Sequence, residues 1–222
     1  MADRGDPIAA TIMGVCFAEG WGASSDEKVA REYLAAAAEV NPVARYLLAR
    51  LLFKSPETAV EAHLLARIAL DAGTPEAATL LGDAHKLGLG VEASETESSK
   101  LYQKGGELGD GAGFAKLGLR YVDDRGQIAN FLEARHWFEK AYAAGYLGIT
   151  AYLADILIDH VDPPDVRRGL QLLHHAAERK DFGSLMKLSR VYRDGLFGIP
   201  PDKAKAREYS RLAKEAMGES SS

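Results

Sequence analysis

One cysteine, Cys16, stands in 222 residues, which excludes an intrachain disulfide and any metal site built from several thiolates. Long hydrophobic runs are missing too, and without about 18 consecutive apolar residues no stretch reads as a membrane-spanning helix. Basic residues are not in excess. Against 32 Asp and Glu there are 27 Lys and Arg, a formal net charge of −5. There is no global positive field for phosphate backbones, so nucleic acid is not expected as the main partner.

The motifs of catalysis are equally scarce. The six histidines (His63, His85, His136, His160, His174 and His175) form no His-Glu-x-x-His run. The adjacent pair 174–175 would point about 100° apart on a helix and cannot chelate one ion as i, i+4 ligands do. Asp123 with Asp124, and Asp159, Asp162 and Asp165, lack the alternating carboxylates of a calcium loop. Gly88-Leu-Gly90 is no phosphate loop, and no Gly-x-Ser-x-Gly elbow occurs. Cys16 lies beside Gly14 and Phe17 on a packing face rather than with a catalytic base. No catalytic residue, metal ligand or cofactor site is expected.

What is present is a period. In Ala134-Arg-His-Trp-Phe-Glu-Lys-Ala-Tyr-Ala-Ala-Gly145, the residues Ala134, Trp137, Phe138, Ala141 and Tyr142 make one apolar stripe of a helix that Gly145 stops. Taking its first alanine as anchor, equivalents are Ala30, Ala62, Ser98, Gly169 and Ala206, at successive spacings of 32, 36, 36, 35 and 37 residues along the series. Three residues on stand Tyr33, Leu65, Leu101, Trp137, Leu172 and Tyr209, which predicts that these large side chains pack against small ones. A second register lies upstream at Gly14, Ala49, Gly82, Gly118, Ala154 and Ser189. Its spacings of 35, 33, 36, 36 and 35 track the first. Two helices therefore recur together six times, predicting twelve helices and no strands. The expected units are 7–40, 41–73, 74–109, 110–145, 146–180 and 181–217, with 1–6 and 218–222 as flexible ends.

The pattern Leu-Gly-x-x-Tyr, Gly-x-Gly-Val, then Ala-x-x-Trp/Tyr-x-x-x-Ala-Ala-x-x-Gly resembles the SEL-one-like repeat, a relative of the tetratricopeptide repeat. The resemblance covers about residues 7 to 217, and is strongest at Leu81 to Val91, Leu117 to Tyr121, Ala134 to Gly145 and Val191 to Tyr209. It implies an all-α fold, a right-handed α/α superhelix or solenoid of about six helix-turn-helix repeats. It also implies a non-catalytic adaptor for a protein or peptide partner, in processes such as bacterial signalling, envelope assembly or secretion. A dedicated inhibitor or immunity protein for one enzyme is an alternative, and so, in another class, is an enzyme or glycan-processing component with an unrecognised site.

In such a stack the first helix of each pair lines the concave side. Counted from each first-helix anchor, the inward positions, which include Asp83, Lys86, Asp155 and Met186, give a partner groove of three zones: an aromatic and basic one at Tyr46, Arg50 and Phe53, an apolar middle at Leu119, Val122 and Ile158, and a basic end at Arg190 and Arg193. Exposed apolar and arginine side chains together are what interfaces use. A monomer or weak dimer is expected. The compartment is the cytoplasm if Met1 is the native start, and the periplasm or exterior if a leader has been removed.

Overall fold

The computed structural model describes residues 6–22, 24–122, 130–160 and 163–219. The carboxylates Asp123, Asp124 and Asp162, and most of both expected flexible ends, lie outside the described residues. The chain divides into two compact units, Met1–Leu117 and Gly118–Ser222.

In the first unit, Asp6 accepts the Ile8 amide and Pro7 opens α1 (Pro7–Glu19), where a missing N–H costs nothing. Asp26 caps α2 (Glu27–Ala38), and Asn41 with Pro42 repeats the proline start for α3 (Pro42–Leu52). Then come α4 (Ala59–Asp71), α5 (Pro75–Leu87) and α6 (Glu95–Glu107), the last capped by Ser94. Each packs on the next, and α1 also touches α3 and α3 touches α5, so first helices neighbour first helices. α7 (Gly111–Arg120) has residues in both units.

The second unit continues with α8 (Phe131–Ala143) and α9 (Thr150–Asp155), which widens into a π-helical turn, Ile156–His160. α10 (Val166–Glu178), α11 (Phe182–Asp194) and α12 (Lys203–Glu219) follow, again packed in sequence. Among the described residues there are twelve α-helices, which matches the period, and no strand.

Turn chemistry follows the repeat. Gly20, Gly88 and Gly195 close α1, α5 and α11 in the left-handed region, where a Cβ is strained. α3 has no such glycine. It ends instead through a 3₁₀ turn at Pro56–Thr58, and the Thr58 hydroxyl satisfies the Leu52 carbonyl at 2.6 Å.

Large-on-small packing uses both large positions of the stripe: three residues after the anchors, Leu101 and Leu172 are buried and Tyr33 packs on Ala37, while the first-helix glycines meet the residue one further on. A Cβ on Gly14 would lie 2.6 Å from Leu34, one on Gly82 2.5 Å from Tyr102, and one on Gly118 2.5 Å from Phe138. These partners stand four residues after the second-helix anchors, not three. Phe138 is wholly buried, whereas Trp137 is half-buried with Lys140 over its ring at 4.8 Å. The fifth pair reverses the arrangement, with glycine in the second helix: a Cβ on Gly169 would lie 2.4 Å from Ile158.

Candidate partner-binding face

Ile158, expected on the groove, is 4% exposed. The π turn is the reason: it places more residues in a turn than an α-helix does, so the residues beyond Asp155 rotate out of the α register that selected the position. Ile158 therefore packs onto Gly169 in the core.

In the first unit the expected residues divide by role. Tyr46 and Phe53 are half-buried against the apolar core around Ala49, Leu70 and Leu81. Burial raises the Tyr46 phenol pKa, with Arg50 acting against it. Arg50 is exposed and pairs with Glu19 at 3.0 Å, above a small cleft of about 40 Å³ that Val15, Ala18 and Lys54 also line. Asp83 accepts the Tyr102 hydroxyl at 2.6 Å and Lys116 at 2.9 Å. Burial, and then that bond to a carboxylate, push the Tyr102 pKa up, so it donates as a neutral phenol. Lys86 is exposed.

In the second unit Leu119 is exposed and Val122 half-buried. The larger feature is a cleft of about 540 Å³. It brings together Asp155 with Arg190 and Arg193, all three expected from the register, and Met186 from the same inward row. It also recruits Asp159, weighed above only as part of an acidic cluster, and Lys187, Leu196 and Phe197, which were not singled out. The legible signal for Asp159 was its i, i+4 relation to Asp155; Leu196 and Phe197 carried none, because they belong to the turn after α11.

Charge within the cleft is ordered. Lys187, only 21% exposed at its side chain, bridges Asp155 and Asp159, with the second contact at 2.8 Å. Arg193 grips Asp194 through two bonds of 2.8 and 2.9 Å. Those bonds lower the Asp194 carboxyl pKa and raise that of the guanidinium. Arg190 reaches the same carboxylate only at 3.8 Å and is 71% exposed at its side chain, leaving most of its donors facing solvent. Met186 and Phe197 are exposed apolar walls. Such a cleft can hold an apolar side chain with a carboxylate beside it.

The histidines are held by rings and hydroxyls. His63 and His85 meet edge to face at 5.5 Å, His160 stacks on Phe131, and the Tyr142 hydroxyl lies 3.1 Å from His175. Among the described residues no three His, Cys, Asp or Glu side chains gather as a metal site.

A family model described as the Sel1 repeat matches residues 7–41, 75–110, 115–146 and 184–216. The chain belongs to the Sel1 repeat family. Sel1 repeat proteins typically mediate protein–protein interaction, and the fold is an all-helical repeat solenoid. An uncharacterized protein of Neisseria meningitidis is 32% identical over 185 residues, 79% of this chain and 37% of that protein. This Sel1 repeat chain thus spans little over a third of that relative's length. Among solved structures, a Sel1 repeat protein from Oxalobacter formigenes superposes with a TM-score of 0.77 at 25% identity, over 95% of this chain and 88% of that one. An immunity protein from Pseudomonas aeruginosa gives 0.65 at 14% identity, over 98% and 84%, a likeness of fold alone.

Proposed function

We propose that this Sel1 repeat chain is a non-catalytic interaction module that takes a protein or peptide partner on the inward faces of its first helices. The cleft of α9, α11 and the turn after α11 carries this reading. Asp155, Met186, Arg190 and Arg193 were selected by repeat register alone, and all four line one cavity large enough for a bulky side chain. Two arginines share a single carboxylate, Asp194. That favours a partner segment that brings its own acidic group next to an aromatic or aliphatic residue.

The test places a photo-crosslinking residue at Met186 in the full chain, with a second at Lys140, an exposed second-helix position, as control. Crosslinked partners are identified by mass spectrometry and compared with an Arg190→Glu/Arg193→Glu variant. A partner trapped at Met186, absent at Lys140 and lost in the double variant supports the proposal. Undiminished capture by the double variant overturns it.

A further inference from the structure

A repeat protein supplies its own controls, because the same helix position can be compared from unit to unit. The positions two before, two after and six after each second-helix anchor face solvent in the first unit. On α2 they hold Lys28, Glu32 and Ala36, and on α6 Thr96, Lys100 and Lys104. The central one is His136 on α8, Gln171 on α10 and Glu208 on α12, all exposed. On α4 the same three positions are Val60, Leu64 and Ile68, exposed by 70%, 60% and 41%. They lie at i, i+4 and i+8, one above another along the outer side of the helix. The opposite face of α4 is already buried in the core through Ala62, Ala66 and Ala69, so the exposed surface of the stripe lies outside internal packing. Three large aliphatics held in water where five sister helices place a polar residue at the centre mark a contact surface.

The charges around the stripe decide between occupants. Exposed Glu57 and Glu61 stand at its start and exposed Asp71 at its end, with half-buried Arg67 as the cation within this stretch. The Ser55 hydroxyl donates to Glu57 and lowers its carboxyl pKa, keeping it ionised. The C-terminal end of the α4 dipole adds partial negative charge beside Asp71. A second copy of this chain would cover the stripe about a two-fold axis through Leu64. Positions 57 and 71 are equally spaced on either side of Leu64, so each copy would set Glu57 against the other's Asp71. Like charges meet at both ends of that pairing.

We infer that the outer face of α4, at Val60, Leu64 and Ile68, docks an amphipathic helix of a different protein whose apolar stripe is flanked by lysine or arginine. This surface is independent of the cleft around Arg190, and each can fail without the other.

The probe is a pair of synthetic, fluorescently labelled helical peptides with leucine at i, i+4, i+7 and i+11. One carries lysine at the flanking positions and the other glutamate, and each is titrated with the full chain and followed by anisotropy. The lysine peptide should bind at least about tenfold more tightly than the glutamate peptide, by an amount that shrinks as salt is raised. Val60→Thr with Leu64→Gln and Ile68→Gln should abolish binding, with helicity and melting temperature unchanged. Glu61→Lys with Asp71→Lys should reverse the preference between the peptides, and Arg190→Glu/Arg193→Glu should leave it intact. Equal binding of the two peptides, binding of neither, or binding that survives the triple substitution overturns the inference. So does a concentration-dependent dimer in sedimentation that the triple substitution dissolves, which would make a second copy the occupant.

Discussion

The Phe138 ring occupies the space that a side chain at residue 118 would need: a Cβ on Gly118 would lie 2.5 Å from the ring. This contact joins the first and second helices of one repeat, and its counterparts Gly82 with Tyr102 and Gly14 with Leu34 do the same in theirs.

Phe138→Ala should therefore cost about 3–5 kcal/mol, the usual range for emptying a buried aromatic site. Trp137→Ala should cost less, because the indole is half-buried and keeps a lysine against its face. Urea unfolding of both variants checks the order. If the tryptophan variant is the less stable, the packing position has been misassigned.

Gly82→Ala adds one methyl where the Tyr102 ring already stands, 2.5 Å from the new carbon. Alanine gains up to about 1 kcal/mol of helix propensity over glycine, but overpacking costs about 1–3 kcal/mol. A net loss of stability is expected, and Gly82→Ala combined with Tyr102→Leu should recover part of it. The midpoints of denaturant unfolding for the two variants decide this.

Lys180 is in the left-handed region, φ 59°, just past the end of α10. The residues that follow α4, α6 and α8 in the same way are Gly73, Gly109 and Gly145, with φ of 88°, 109° and 81°. The left-handed conformation costs an L-residue about 1–2 kcal/mol, and glycine gives back about 0.5–1 through the entropy of its unfolded state. Lys180→Gly should raise stability by about 0.5–1 kcal/mol, read as a higher melting temperature.

Stability should fall as the solution is made mildly acidic. Burial, then Arg67 and His85, lower the pKa of His63 below its ordinary value of 6.5, and burial, then Lys205, do the same for His174. Each imidazole binds its proton in the unfolded chain before it does so in the folded one. The contribution is therefore full above about pH 6.5, and is lost as pH falls from there through the depressed folded values. His63→Leu with His174→Leu should flatten that slope in urea unfolding between pH 7 and 5, measured at about half-unit steps.

The repeat period was fully visible in the chain. Spacings near 35 residues predicted twelve helices, and Asp6-Pro7 and Asn41-Pro42 announced where two of them start. Less visible was which large residue meets the glycine of the first helix. Residues three and four after an anchor both lie on the apolar stripe, and only the approach of the partner helix set Leu34, Tyr102 and Phe138 against Gly14, Gly82 and Gly118. Ile158 was misplaced for a comparable reason: a groove position counted in α-helical steps fails once α9 widens into a π turn.

Local chemistry by itself determined the helices, their caps, the family and the repeat register that links Asp155, Met186, Arg190 and Arg193. These depend on periodicity and on groups a few residues apart, which the order of amino acids contains. Only the tertiary structure decided that Lys187 spans Asp155 and Asp159, that Phe197 walls the same cleft, and that Val60, Leu64 and Ile68 are left outside the core. Each of these depends on where a different helix or turn comes to rest, and such contacts are set by packing between elements far apart in the chain.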